Sequence, residues 1–410
     1  MIAMKERVYM INYEVSMPTK IIYGEGRHKE IGKWLVKYGF SKVLLVYGGG
    51  SIKNIGLYDT VIGQMKENGI EWMELSGIKS NPTLEPVYEG IRICRENGIG
   101  HILAVGGGSA IDTAKAIALG VPYDGDVWNF FGRFVYEYAS EGKNLPGALP
   151  TANILTIPGT GSESGANTVI SNAQTQEKIG IFDDCLRPVF TIMDPTLCVT
   201  IPKNQIASPV YDMLSHTMER YFESPENKHT DVVDGIAEGL MRGVIKNGLA
   251  VYKDPGDVAA WGELMLAADF SHNGVTGFGK DSDWTNHGTE EVISGIYNIP
   301  HGAGLSIVTP AWMKYVYKKH PEQFAQFAQN VMGIQGSFRE PERLAMEGIQ
   351  ALENFSRQLG LPTRLSEFDI DDSQFEFMAK RACDYKPSHT LGAVEKLSWE
   401  DVVEIYKLAL

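Results

Sequence analysis

The sequence predicts an α/β domain built on a parallel sheet, followed by an all-α domain. Three observations carry this expectation. At 410 residues the chain exceeds what one ordinary core fills, so two domains are expected. Up to about residue 200, short apolar runs ending in glycine alternate with helically spaced segments, the pattern of βαβ units with a sheet covered on both faces. Beyond about Pro202 strand-like runs nearly vanish and helical patterns dominate. The expected division is residues 1–200 for the α/β domain and 201–410 for the helical one.

Taken in order, "KVLLVYGGG" (42–50) is a β-branched strand that stops at glycines, and "IGLYDTVIGQMKENGI" is a helix with a glycine stop. "EWMELSG" reads as a strand, "SNPT" as a turn and "LEPVYEGIRICRENGIG" as a second helix. "HILAVGGGSAIDTAKAIALG" repeats strand, glycine turn and helix; "NILTIPGTGSESG" and "PVFTIMDPT" read as later strands. In the second half "PVYDMLSHTMERYFES", "VDGIAEGLMRGVIKNGLAVY", "AAWGELMLAADFSHNGV" and "EQFAQFAQNVMG" have helical spacing. No internal repeat is found.

Composition excludes several classes of function. A formal net charge of −14 argues against nucleic acid and anionic membrane as partners, since both repel an acidic surface. The four cysteines, Cys94, Cys185, Cys198 and Cys383, have no C-x-x-C spacing, which fits reduced thiols in the cytoplasm. The N-terminal "MIAMKERVYMINYEV" places charges where a signal peptide needs an apolar run, and no segment approaches 18 apolar residues.

Glycine turns come next. Gly106, Gly107 and Gly108 lie between a strand and a helix, where glycine lets the backbone approach a ligand and a helix N-terminus suits a phosphate. Ser109 and Asp112 have capping-box spacing. One triplet alone is as often a plain βα turn. A second triplet, Gly48-Gly49-Gly50 with Ser51, and the loop "IPGTGSESG" also follow predicted strands. Three such loops at the carboxyl ends of parallel strands converge on one crevice, so the first domain reads as Rossmann-like and dinucleotide-binding. No G-x-G-x-x-G and no P-loop is present, which disfavours an ATPase. The turn "VYGGGSIK" has no acid for a ribose 2′-OH; it has Ser51 and Lys53, which suit a 2′-phosphate, so NADP(H) is preferred over NAD(H).

His287 and His301 stand fourteen residues apart in "NHGTEEVISGIYNIPHG". One continuous helix would separate them by about 21 Å, far beyond ligands of one ion at about 2.0–2.1 Å. They share a metal only if the chain turns back, with Gly295 as a weak point and a helix stop before Pro300. Alone, the pair is more often two unrelated histidines. In "VYDMLSHTMERY" Asp212 and His216 are at i and i+4, neighbours on one helix face; alone this too is more often a surface pair or a satisfied buried histidine.

Together, "GGGSAIDTAK", "IPGTGSESG", "DMLSHTMERY" and "NHGTEEVISGIYNIPHG", in that order, resemble the metal-dependent group III, or iron-containing, alcohol dehydrogenases, and among them the butanol dehydrogenase-like, NADPH-using aldehyde reductases. The resemblance implies a dinucleotide domain, a helical domain and one divalent metal, Fe(II) or Zn(II), between them, with Asp212, His216, His287 and His301 as ligands. It also implies that Asn81, Thr156, Thr160, Ser162 and Lys178 lie near the cofactor with both glycine triplets. It implies a homodimer formed through "VYMINYEVSMPTKIIYG". Many members carry a histidine where this chain has Glu291, and some carry one at Tyr297. The expected reaction moves hydride between NADP(H) and a small primary alcohol or aldehyde such as butanol or butanal, with the metal polarising the substrate oxygen. Water relayed through Tyr297 or past His301 is the expected proton route. The rivals are a glycerol dehydrogenase or dehydroquinate synthase on the same architecture, a metal-dependent hydrolase, and a non-catalytic nucleotide sensor. The hydrolase and the sensor leave the glycine loops or the metal ligands unexplained.

Overall fold

Six strands form one parallel sheet at the start of the chain: β1 (Lys20–Tyr23), β2 (Lys42–Tyr47), β3 (Glu71–Leu75), β4 (His101–Gly106), β5 (Thr151–Leu155) and, after a hairpin of β6 (Asn167–Asn172) and β7 (Glu177–Phe182), β8 (Phe190–Met193). The computed structural model describes residues 13–131, 145, 147–223, 230–385 and 388–410. The strand order is β1-β8-β5-β4-β2-β3, every pairing parallel. Helices α1 (Ile31–Lys37), α2 (Ser51–Asn54), α3 (Leu57–Glu67), α4 (Leu84–Asn97) and α5 (Gly108–Gly120) connect them. Alternation along the strands explains the two covered faces. Val43 and Leu45 of β2 pack with Leu35 of α1 and Val61 of α3, while Leu44 and Val46 pack with Ile91 of α4 and Ile117 of α5.

Topology places the crevice. From β2 the chain moves out to β3 through α3, then returns through α4 to β4 on the other flank of β2. The strand order therefore reverses between β2 and β4, and in open α/β sheets ligands bind beyond the carboxyl ends at such a point. Both glycine triplets follow these two strands, and the loop after the adjacent β5 joins them.

From Ala207 onward every α-helix or strand among the described residues is a helix: α6 (Ala207–Tyr221), α7 (Asp231–Lys253), α8 (Val258–His272), α9 (Thr285–Tyr297), α10 (His301–Val316), α11 (Pro321–Asn330), α12 (Pro341–Gln358), α13 (Phe375–Asp384) and α14 (Trp399–Ala409). The larger apolar cluster runs without interruption from Leu44 in the sheet to Ala409 in the last helix. The two halves thus share a core.

Two local expectations need correction, and one element adds to them. The antiparallel β6–β7 hairpin, which the sequence pattern does not mark, is fastened to the turn before α4, where the Ser171 amide donates to the Pro82 carbonyl at 2.8 Å. Ser109 and Asp112 form no capping box. Helix α5 already begins at Gly108 with Gly107 as its cap, so Ser109 stands inside the first turn and Asp112 points inward, accepting from Ser162 Oγ at 2.6 Å. Gly295 does not end a helix. It lies within α9, where a side chain would meet the Gln176 carbonyl oxygen at 2.8 Å, so it serves close approach to the β6–β7 turn.

Candidate active site

Helix α6 presents Asp212, His216 and Glu219 at i, i+4 and i+7, one face of 3.6-residue periodicity. Helix α9 presents His287 and Glu290. The chain then turns: Asn298 takes a left-handed conformation (φ 51°), Pro300 caps the next helix, and His301 opens α10. This turn brings the two histidines of the fourteen-residue spacing together.

Their geometry converges on one atom. Asp212 Oδ1 lies 3.6 Å from His216 Nε2, 3.5 Å from His287 Nε2 and 3.7 Å from His301 Nε2. Donors around a tetrahedral ion at about 2.0–2.1 Å stand about 3.3 Å apart, so this spacing fits a metal. Direct hydrogen bonding does not explain it, since Asp212 Oδ1 and His287 Nε2 are both buried without a partner. Such atoms cost about 1–3 kcal/mol each when left unsatisfied. The oxygen and the His287 and His301 nitrogens form a mutually close set, within 4.8 Å of one another.

The far side of the rings is held by carboxylates. His287 Nδ1 pairs with Glu219, which also accepts from the His287 amide at 3.0 Å. His301 Nδ1 pairs with Glu290. A carboxylate accepting from Nδ1–H favours the tautomer whose Nε2 lone pair faces Asp212, the form that a bound cation requires. Burial works against charge on His287, but Glu219 and then Asp212 override it and push its pKa up to about 10 when no cation is present. Burial, reinforced by His272 and His287, holds His216 well below the usual imidazole range. Burial works against the charge of Glu290, yet His301 and Lys178 hold its pKa below the usual value.

The cluster opens onto a cleft of about 1390 Å³, above the range of about 300–1,000 Å³ for drug-sized ligands and large enough for a dinucleotide with a small substrate. Two family models cover nearly the whole chain: iron-containing alcohol dehydrogenase over residues 18–195, and the C-terminal domain of the Fe-containing alcohol dehydrogenase family over residues 206–410. The chain belongs to the iron-containing alcohol dehydrogenase family. It is 41% identical over 399 residues to NADH-dependent butanol dehydrogenase A of Clostridium acetobutylicum, covering 97% of this chain and 99% of the relative. It is 32% identical over 375 residues to the NADPH-dependent aldehyde reductase YqhD of Escherichia coli, covering 91% and 93%. The crystal structure of NADH-dependent butanol dehydrogenase A from Thermotoga maritima matches with a TM-score of 0.91 and 37% identity over 98% of this chain and 99% of that one. The chain is therefore an oxidoreductase of the alcohol and aldehyde class. Its family works with NAD(P) and an iron-type metal.

Within this family member the cleft is lined by Gly48, Gly49, Gly50, Ser51, Asn81, Gly106, Gly107, Gly108, Ser109, Asp112, Thr156, Thr160 and Lys178 from the first half, and by Asp212, His216, His287 and His301 from the second. Gly108 is required by close packing, since a side chain there would stand 2.4 Å from Thr160 Oγ1. Burial raises Asp112 to about 6. Asn81, itself left-handed, donates to Asn298 Oδ1 at 3.0 Å and so ties the loop after β3 to the turn before His301.

Some expected residues stand elsewhere. Ser162 is fully buried, does not line the cleft and supports Asp112 instead. Lys53 turns away over the rings of Tyr58 and Tyr47, 4.8 and 5.5 Å from their centroids. Tyr297 does not line the cleft, whereas Glu291 does; burial raises the Glu291 pKa against the pull of Lys178.

Sequence reasoning missed Glu219 and Glu290. The i, i+4, i+7 face through Asp212, His216 and Glu219 was the available signal for the first. It also missed His272, whose buried ring lies 4.3 Å from that of His216, and Trp284, edge-on to His287 at 5.4 Å. Ala382, Tyr385 and Leu391, near the end of the chain, also line the cleft.

Proposed function

We propose that this chain interconverts small primary alcohols and aldehydes, of the butanol and butanal class, using NADP(H) and one divalent metal, Fe(II) or Zn(II). The convergence of three imidazole Nε2 atoms on Asp212 Oδ1, in the cleft that the glycine turns line, carries this reading. Asp212, His216, His287 and His301 would hold the ion; an N₃O donor set with buried, unpartnered atoms suits either metal. Bound there, the metal supplies Lewis acidity toward the substrate oxygen, and the dinucleotide supplies the hydride chemistry. Residues 1–200 would carry the dinucleotide and 201–410 the metal.

The chain's own groups do the positioning. Glu219 and Glu290 fix the tautomer and orientation of His287 and His301. Gly107 and Gly108 let the first turn of α5 lie against Ile157 and Thr160, which leaves backbone amides facing the cleft for a pyrophosphate. Among the described residues, the first glycine turn and the loop after β3 contribute Ser51 and Lys79 to the cleft wall and no carboxylate, which supports the 2′-phosphate form of the cofactor. The butanol dehydrogenase relatives are named for NADH and the aldehyde reductase for NADPH, so the measured preference decides. A homodimer fits the exposed Tyr13, Val15 and Met17 beside edge strand β1. The first part of the expected dimer segment, residues 8–12, lies outside the described residues.

The test is absorbance at the nicotinamide band with butanal and either cofactor, before and after chelation and with Fe(II) or Zn(II) restored. The expected result is turnover that chelation abolishes, that added ion restores and that favours NADPH in kcat/KM. Full turnover in chelator would overturn the metal role, and a preference for NADH would overturn the cofactor assignment. Asp212→Ala and His301→Ala should each lower kcat at least a hundredfold, on the order of one lost charge-stabilising group, with NADPH affinity little changed.

A further inference from the structure

The cation expected to read a 2′-phosphate, Lys53, is engaged elsewhere. Its ammonium lies over the Tyr58 and Tyr47 rings, and both phenols donate to Glu74, at 2.8 and 2.7 Å. Glu74 also accepts from the Trp72 indole at 3.3 Å. Lys53, two tyrosines and one carboxylate thus form a connected set at the ends of β2 and β3, and none of the four lines the cleft. Charge held by rings and a carboxylate is charge withdrawn from a distant anion.

Lys79 is placed differently. The loop after β3 folds back along the end of β2: the Gly77 amide donates to the Gly48 carbonyl at 2.9 Å and the Ile78 amide to the Tyr47 carbonyl at 3.3 Å. This sets Lys79 beside the Gly48-Gly49-Gly50-Ser51 turn. It lines the cleft, is exposed, and makes no ion pair, hydrogen bond or ring contact among the described residues. Two residues on, Asn81 is tied to Asn298 across the cleft, which fixes the loop's far end.

We propose that Lys79 is the specificity-determining residue for the 2′-phosphate of the cofactor, reading it together with Ser51, and that Lys53 is structural. This rests on the reading that the cleft prefers NADP(H). An exposed ammonium is a point charge suited to a phosphate monoester, and the serine hydroxyl and glycine amides provide donors beside it.

The test uses the intact enzyme and two probes, adenosine 2′,5′-bisphosphate and adenosine 5′-monophosphate, which differ only by the 2′-phosphate, alongside NADPH and NADH. Wild type should bind the bisphosphate at least tenfold more tightly. Lys79→Met should lose about tenfold in affinity for the bisphosphate and NADPH, the scale of one charge-assisted hydrogen bond, with NADH and the monophosphate unchanged. Lys53→Met should leave the ratio intact. If wild type discriminates and Lys79→Met still does, the Lys79 assignment falls while the NADP(H) reading stands. If wild type binds both probes equally, the NADP(H) reading itself falls and takes the assignment with it. Equal loss of both probes in Lys79→Met assigns a general structural role and overturns the proposal.

Discussion

Two carboxylates without direct access to substrate decide how the imidazoles behave. Glu219 and Glu290 are fully buried and face the Nδ1 atoms of His287 and His301. Changing either to Gln keeps the shape but weakens the hold on the ring. Metal affinity should fall about 10–100-fold, and activity should return when excess ion is supplied; titration of bound metal against kcat checks this. A third buried carboxylate, Glu163, has no hydrogen-bond partner on either oxygen. Burial and nearby Asp269 raise its pKa from 4.5 to about 8. Between those values the folded state keeps a proton that the unfolded chain releases, so this group's contribution to stability declines as pH rises through the window. Glu163→Gln removes that dependence. Its melting temperature relative to wild type should climb from pH 5 to pH 8 by about 2 °C or more in calorimetry, and a constant difference would refute the assignment.

At the level of elements, the site depends on how closely α10 approaches α6. The Gly302 amide donates to Ser208 Oγ at 2.9 Å, and a side chain at Gly302 would stand 2.0 Å from the Ser208 carbonyl oxygen. That oxygen is backbone within a helix, so α10 itself would have to move, carrying His301 at its first position. Gly302→Ala should cost about 1–3 kcal/mol in denaturant unfolding. It should also weaken metal binding more than cofactor binding, since His301 is displaced while the glycine turns are untouched. Loss of cofactor affinity alone would contradict this picture.

For the molecule as a whole, the candidate ligands come from three helices, α6, α9 and α10, so an ion bound there binds only the folded arrangement. At a free concentration a hundredfold above its Kd it would add about 2.7 kcal/mol of stability. Chelation should lower the melting temperature by a few degrees and restored metal should raise it; a transition indifferent to chelator would remove the ion from the core. Much of this architecture was legible in the sequence. The strand–glycine–helix repeats marked β2 and β4, and the proline before His301 marked the turn that two ligands on one segment require. Other features left no local trace. Lys53 reads as a phosphate ligand until the fold brings Glu74 from β3 to Tyr47 and Tyr58, whose rings then hold its ammonium. The β6–β7 hairpin follows the polar loop "IPGTGSESG" with no glycine-to-helix punctuation of the βαβ kind, and its docking against Pro82 and α9 defines it. Ala382, Tyr385 and Leu391 look like any core residues, since apolar side chains carry no mark that separates a cleft wall from an interior.

The uninterrupted apolar cluster from Leu44 to Ala409 bears on how the two halves can be separated. The segment between β8 and α6 includes exposed residues at Pro202, Lys203, Asn204 and Gln205, open to a protease, yet a cut there severs only the covalent connection. The fragments would still be glued by shared oily surface and should travel together through a sizing column until denaturant parts them. Expressed by itself, either piece would show that surface to water and clump.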